Sequence, residues 1–319
     1  MKHRFGNRFV LVAAVVALTS LALAAASSAR TDGGGVSGRI TADGSSTVGP
    51  YVTAGAERFQ RANRGAQVTV GISGTGGGFE RFCKGETDMS NASRPIKQTE
   101  AAICRTNGVT YVPFLVANDG ISIVVNKDNT WANCLTTAEL KKIWDTGSKV
   151  DNWQDVRQGF PNVKLSLFGP GTDSGTFDFF TEVINGKSKR SRSDYAATEN
   201  DDVAVRGVAG ERGGLAYFGL SYYEENKNTL KLLGVDSGGG CTLPSIKTVQ
   251  AYSYKPLSRP LFVYVKRDAF KRPVVQAFVR YMIQNERAIA KTAKFVSLTD
   301  RQLRKSKYQY NQAIRFAKR

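Results

Sequence analysis

Three short runs of glycine, serine and threonine constrain this chain most, because each turns from an extended segment into an amphipathic helix. Asp43-Gly44-Ser45-Ser46-Thr47 precedes a helix with Pro50 in its first turn. Ser73-Gly74-Thr75-Gly76-Gly77-Gly78 follows a strand and leads into Phe79-Glu80-Arg81-Phe82. Gly171-Thr172-Asp173-Ser174-Gly175-Thr176 follows a strand ending at Phe168 and leads into Phe177-Asp178-Phe179-Phe180. Such a turn offers free backbone N–H groups, the positive end of a helix dipole and hydroxyl donors. Glycine lets the backbone approach a ligand closely. A single turn is explained equally well by Ser or Thr capping its helix. Three of them, gathered at the carboxyl ends of strands, make a tetrahedral oxyanion the natural ligand. None carries the GKS or GKT of a P-loop or the GxGxxG of a dinucleotide site, so nucleotide readings are poor.

The rest of the chain supplies the frame. Strands are expected at 68–72, 121–125, 165–168, 215–218 and 261–265, and helices at 50–62, 78–84, 95–105, 137–144, 177–184 and 273–292. Their alternation points to α/β layers with parallel sheets. With 319 residues the chain is long for one core and suits two lobes. Tyr111-Val112-Pro113-Phe114 and Tyr254-Lys255-Pro256-Leu257 are the candidate crossings. They divide the chain into 37–114 plus 255–319 as lobe 1 and 115–254 as lobe 2. Phe59 seven residues after Val52, and Phe82 three after Phe79, share helical faces and read as core.

At the N-terminus, Lys2, Arg4 and Arg8 precede an apolar run from Phe9 to Ala26, and Ser27-Ser28-Ala29 offers small residues. This is the pattern of a signal peptide over residues 1–29, cut near Ala26 or Ala29. An uncleaved anchor is the alternative. A Gly-rich flexible segment, 30–36, follows, and no cysteine stands at the cut to carry a lipid. Cleavage leaves 42 basic against 27 acidic side chains, a balance of +15. An oxidising compartment outside the cytoplasm favours disulfides, so Cys83, Cys104, Cys134 and Cys241 are expected as two bridges. A bridge across lobes would lock a hinge, which favours Cys83–Cys104 and Cys134–Cys241. The sole histidine, His3, falls in the removed segment. The mature chain therefore has no imidazole base, no Ser-His-Asp triad and no His-ligated metal, and no cofactor is called for.

A fourth element, Asp88-Met89-Ser90-Asn91-Ala92-Ser93-Arg94-Pro95, reads as a strand entering a helix with Ser93 as N-cap and Pro95 at its first position. Arg94 is then either a surface charge or a bidentate donor to the anion.

The motifs GSST, SGTGGGFERFCKGETD, SNASRPI and DSGTFDFFTE, with the later GGLAYFG and KPLSRPLFVYV, resemble in identity and order the PstS-type phosphate-binding proteins of bacterial ABC importers. The resemblance covers nearly all of the mature chain. It implies a two-lobed periplasmic-binding-protein fold of type II, α/β, with a hinge and an interlobe cleft. It implies capture of inorganic phosphate there and delivery to ABC permease subunits in the membrane, by a monomer. Carried over by motif, the ligands are Ser45, Ser46 and Thr47, then Thr75 with the Gly76 and Gly77 backbone, then Ser93 and Arg94, and finally Asp173, Ser174, Gly175 and Thr176. Many members have an Asp just before the proline of the fourth element, accepting a proton from hydrogen phosphate, where this chain has Ser93-Arg94. They also have an Arg shortly before the third turn's Asp, where this chain has Gly169-Pro170-Gly171. Arg94 is accordingly expected as the cationic clamp, and Asp43 or Asp173 as the proton acceptor.

Two other readings compete. A secreted phosphatase would use Ser174 as nucleophile, though Gly-Thr-Asp-Ser-Gly-Thr is not GxSxG and no histidine activates it. An envelope polyanion binder would use the basic tail, residues 301–319, which carries seven Lys or Arg and no acid. The same tail also reads as a solvated helical face. Nucleic acid is a poor partner, since no recognition motif for it is present.

Overall fold

The computed structural model describes residues 35–318, so the expected signal peptide lies outside the described residues. In the first part of the chain, Ile40 and Ala42 point into a core from β1 (Gly38–Gly44), which leads to α1 (Gly49–Ala62). Pro50 sits in the first turn of α1, and Tyr51, Val52, Ala56 and Phe59 form its buried stripe. Next come β2 (Ala66–Val70), α2 (Gly74–Cys83), β3 (Met89–Ala92) and α3 (Gln98–Thr106). β2 and β3 both pair parallel with β1.

The strand β4 (Tyr111–Asn126) then runs for 16 residues through the whole molecule. Its first part, Tyr111–Gly120, pairs antiparallel with the late strand β11 (Ser258–Lys266), which itself pairs with β3. Its last part, Ile121–Asn126, pairs with two other strands introduced below. Between them lie β5 (Cys134–Thr136), α4 (Thr137–Trp144), α5 (Trp153–Val156), β6 (Ser166–Gly169) and α6 (Gly175–Asn185). There follow β7 (Ala196–Ala197), α7 (Asp201–Gly210), β8 (Gly214–Gly219), α8 (Leu220–Asn226), β9 (Leu230–Asp236), β10 (Cys241–Thr242) and α9 (Ile246–Gln250). β8 and β9 flank the last part of β4. After β11 the chain ends in α10 (Pro273–Gln284), α11 (Glu286–Thr292) and α12 (Asp300–Ala317).

The sheet is therefore mixed. The expectation of parallel sheets holds around β1 and β6 but fails at β4 and β11, which run antiparallel to their neighbours. Two large cores result. One gathers α1, α10 and β1 with the first part of β4, including Val116 and Ala117. The other gathers Ile121, Trp144, Trp153, Phe180 and Tyr217 with α4 and α6. Burying each such side chain contributes about 1.5–3 kcal/mol, so each core has its own source of stability. This is the two-lobed arrangement, with β4 common to both. Cys83–Cys104 ties α2 to α3, and Cys134–Cys241 ties β5 to β10. Neither bridge crosses between the two cores.

Several sequence expectations are corrected. The helix expected at 78–84 begins at Gly74, so most of the glycine run is its first turn. Gly78 permits this, because a Cβ there would stand 2.5 Å from the Gly44 Cα. The helix expected from Pro95 begins at Gln98, where the Glu100 carboxylate accepts the Lys97 N–H. Ser93 is thus not a cap, because its hydroxyl is engaged with Thr75. The helix expected over 273–292 breaks at Asn285, and the strand expected over 68–72 stops at Val70. The basic tail is α12, which lays Leu303, Tyr310, Ala313 and Ile314 on the first core and leaves Arg301, Arg304, Lys305, Lys307 and Arg315 exposed. No helix among the described residues is long and apolar enough to cross a membrane.

Candidate functional site

Two helix N-termini open on one hollow. β1 ends at Gly44, and Ser45, Ser46 and Thr47 turn the chain into α1, whose N-cap, Val48, has no side-chain hydrogen bond to give. The first turn of α2 is likewise without a side-chain cap. Neither helix has a side chain satisfying its first-turn N–H groups, which is what an anion site requires. Ser45, Ser46, Thr47, Gly74, Thr75, Gly76, Ser93 and Arg94 all line this cavity, whose volume is about 400 Å³. A Cβ at Gly74 or Gly76 would meet no neighbouring atom within 4 Å. The Thr75 and Ser93 hydroxyls lie 3.0 Å apart and the Ser93 N–H donates to Thr75 Oγ1, so the two face the hollow as one unit.

The third turn plays another part. Ser174 caps α6, its Oγ accepting from the Thr176 and Phe177 N–H groups, which fixes the side chain at the helix end. Gly175 touches the first turn directly: a Cβ there would lie 2.2 Å from Thr47 Oγ1 and 2.7 Å from the Thr47 nitrogen. Only glycine lets the two lobes meet at this point. Asp173, Ser174, Gly175, Thr176 and Gly77 do not line the cavity. Asp173 is exposed and faces a separate groove with Ser46, Pro50, Glu57 and Ile72. Asp43 is buried behind the turn, Oδ1 accepting from the Gly44 N–H and Oδ2 paired with Arg81, and it does not reach the cavity either.

Arg94 reaches the rim already engaged. Its Nη1 and Nη2 donate to the two Glu100 oxygens at 2.9 and 2.7 Å, which spends much of its charge on a neighbour six residues away. Glu100 holds the pair because its carboxyl also accepts the Lys97 N–H and stays below the usual carboxylate range, despite partial burial.

The cation that sequence reasoning did not assign is Arg259, inside the KPLSRPLFVYV stretch and on β11. It is buried, at 8% exposure, and lines the cavity. Its Nε donates to Asp119 Oδ2 at 3.0 Å, while Nη2 donates to Thr47 Oγ1 at 2.8 Å and to the Gly175 carbonyl at 3.2 Å. The guanidinium carbon stands 3.8 Å from the Phe179 ring centroid. Burial pulls its pKa down and Asp119 opposes that; a guanidinium starts so high that it stays charged. One side chain thus touches the first turn, the third turn and the strand shared by the lobes. α6 also brings Asp178, Phe179, Glu182 and Val183 to the cavity wall. Asp178 and Glu182 are four apart, and that spacing was the available signal for a shared face.

Comparison with known proteins agrees with this geometry. The PBP superfamily domain profile matches residues 24–286. The protein SphX of Synechococcus elongatus is 49% identical over 262 residues, 81% of this chain and 77% of that one. The phosphate-binding protein PstS of Staphylococcus saprophyticus is 40% identical over 271 residues, 84% of this chain and 82% of that one. This chain belongs to the SphX/PstS family of the PBP superfamily. Among solved structures, a possible phosphate binding protein from Planctomyces limnophilus superposes with a TM-score of 0.84 at 44% identity, covering 88% of this chain and 99% of that one. In this SphX/PstS chain the two lobes touch through Thr47, Gly175 and Arg259, which is a closed cleft.

Proposed function

We propose that this protein captures inorganic phosphate in the cavity between its lobes and delivers it to an ABC permease as an exported solute-binding protein. The observation that carries the reading is a buried guanidinium sharing one hollow with two helix N-termini that have no side-chain cap. Ser45, Ser46, Thr47, Thr75 and Ser93 supply hydroxyls, the turn before α1 and the first turn of α2 supply amide N–H groups, and Arg259 supplies the charge. Arg94 contributes from the rim. Charge-assisted hydrogen bonds contribute about 1.5–3 kcal/mol each, so a handful offsets dehydration of a small anion. The relatives named as phosphate-binding protein PstS support phosphate as the ligand.

Closure follows from the ligand's contacts with both lobes, which favour the shut form by their differential affinity. The moving bodies are 37–114 with 255–319, and 115–254. The division of the cores supports a flexing point inside β4 a few residues past that boundary, between Ala117 and Ile121. The protein binds rather than catalyses: Ser174, the candidate nucleophile, is engaged as a helix cap. Export with cleavage near Ala26 or Ala29, a monomeric state, and weak attraction of the exposed basic face of α12 to anionic envelope polymers complete the proposal.

Calorimetric titration of protein stripped of carried-over phosphate tests it. Saturable binding of one phosphate per chain is expected. Absence of both heat and thermal protection overturns the reading.

A further inference from the structure

The charge of this chain is unevenly placed. Residues 255–319 hold 17 Lys or Arg against 3 Asp or Glu, while residues 115–254 hold 15 against 17. The C-terminal stretch therefore carries a surplus of 14, nearly all of the +15 left after cleavage. Of its cations only Arg259 lines the cavity, so anion capture accounts for little of the surplus.

Much of it stands on α12, in one stripe. Arg301, Arg304, Lys305, Tyr308 and Arg315 recur at steps of three, four and seven residues, which puts them on one helical face. All five are exposed, and the opposite face lies on the first core through Tyr310, Ala313 and Ile314. Among the described residues none of the four cations takes part in an ion pair, and the one acid of α12, Asp300, is engaged by Arg287. Tyr308 stands in the middle of the stripe at 65% exposure, and no large apolar side chain among the described residues is more exposed. Phe316, two turns on, is 42% exposed, with the Arg267 guanidinium carbon 5.0 Å from its ring centroid. The attraction to envelope polymers named above accounts for the charges alone and gives these rings no partner. A lipid surface answers both, since its headgroup phosphates meet the cations and its acyl boundary takes aromatic rings.

We propose that this face of α12 docks on an anionic lipid bilayer, with Arg301, Arg304, Lys305 and Arg315 at the headgroup phosphates and Tyr308 and Phe316 in the interface. At 18 residues the helix is about 27 Å long, and one side of it is built into the core, so it lies along the surface. The lobe formed by 115–254, balanced in charge, feels little of this pull. Attachment is thus by one jaw and leaves the hinge free. Docking does not depend on what the cleft binds, because no residue of α12 lines the cavity. Its benefit to delivery, which is confinement to the plane of the permease, rests on the phosphate reading.

Co-sedimentation of the mature chain with vesicles tests the proposal. Vesicles of phosphatidylglycerol and phosphatidylcholine in equal parts are compared with phosphatidylcholine alone, and soluble polyglutamate serves as a polyanion without a bilayer. Binding to the anionic vesicles only, weakening as salt rises past about 0.15 M, is expected. Each cation near the surface contributes about fivefold, so Arg304→Gln, Lys305→Gln and Arg315→Gln together lower vesicle affinity roughly 100-fold. Tyr308→Ser lowers it about threefold to tenfold and leaves polyglutamate binding as it was. Melting and phosphate affinity keep their wild-type values in both variants, since the altered side chains touch neither core nor cavity. A wild-type chain that ignores anionic vesicles, or binds neutral ones equally well, overturns the proposal, and so does a folded triple variant that still sediments. Unchanged vesicle affinity in Tyr308→Ser, or polyglutamate bound as tightly as the vesicles, assigns the face to polyanions at large and overturns lipid docking. Vesicle binding by a chain that ignores phosphate supports docking and defeats only the reading of the cleft.

Discussion

Two arginine–carboxylate pairs border the same cavity and differ in almost every physical respect. Arg94 and Glu100 are six residues apart, and the Arg94 side chain is 26% exposed. Arg259 and Asp119 are 140 residues apart, and the Arg259 side chain is 9% exposed. The rim pair is local, wetted and largely self-satisfied, so its charge is screened. The inner pair exists only because β4 and β11 are zipped together, and it is held against Phe179 and two backbone turns. Desolvation makes the second cation worth more to an anion and more costly to leave unpaired. Proximity to a binding motif in the sequence is therefore a poor guide to which charge matters.

The sharpest challenge to that contrast is Arg259→Ala. Phosphate affinity is expected to fall by more than about 100-fold, since a fork of charge-assisted hydrogen bonds is lost. Melting should also drop, because Asp119 is left buried without its cation, a loss on the order of 3–5 kcal/mol. Calorimetry and thermal denaturation read the two effects separately, and Arg259→Lys should restore stability better than affinity, since a point charge cannot reproduce the fork.

Gly175→Ala comes next. Its methyl would collide with Thr47, so closure is obstructed and affinity falls roughly 10- to 100-fold, in line with overpacking costs of 1–3 kcal/mol. Scattering should find the variant expanded even with phosphate present. A variant that compacts normally contradicts the contact between lobes.

A buried acid that makes no ion pair, its neighbour Arg287 being paired with Asp300, extends the comparison to stability. Glu286 accepts the Leu298 N–H, but its Oε2 has no partner, and burial pushes its pKa up to about 7. The folded state thus holds this proton more tightly than the unfolded chain does. Its contribution is full below the unfolded pKa and is lost as pH rises through the folded one. Stability should fall by about 1–3 kcal/mol between roughly pH 5 and 7. Glu286→Gln should flatten that slope in chemical denaturation.

The smallest effect is expected at Arg94→Ala, with phosphate affinity changed by less than about tenfold because the pair it breaks is partly solvated. A loss equal to that of Arg259→Ala would invert the ranking of rim and interior.

Much of the frame was legible because it is written locally. Pro50 marked the start of α1, the helix expected over 137–144 has the observed bounds, and the cysteine pairing followed from keeping each bridge inside a lobe. The misreadings share one cause, which is tertiary context. Gly74–Gly78 read as loop by composition, yet a helix begins there because Gly78 can pack on the end of β1. Pro95 read as a helix start, yet Ser93 is held by Thr75 and the capping contact is the Glu100 carboxylate accepting the Lys97 N–H. At the site, the first two turns announce themselves by composition. Arg259 does not, because its importance comes from partners far away in the chain, Asp119 and Thr47.

The passage of β4 through both halves has a mechanical consequence. A single ribbon paired with β11 up to Gly120 and gripped by β8 and β9 from Ile121 onward behaves as a leaf spring, stiff to shear and compliant mainly to flexing where its partners change. Opening is then confined to about one axis, and the two jaws keep their alignment from one cycle to the next. A membrane partner gripping both jaws could pry them apart without having to search for their relative orientation.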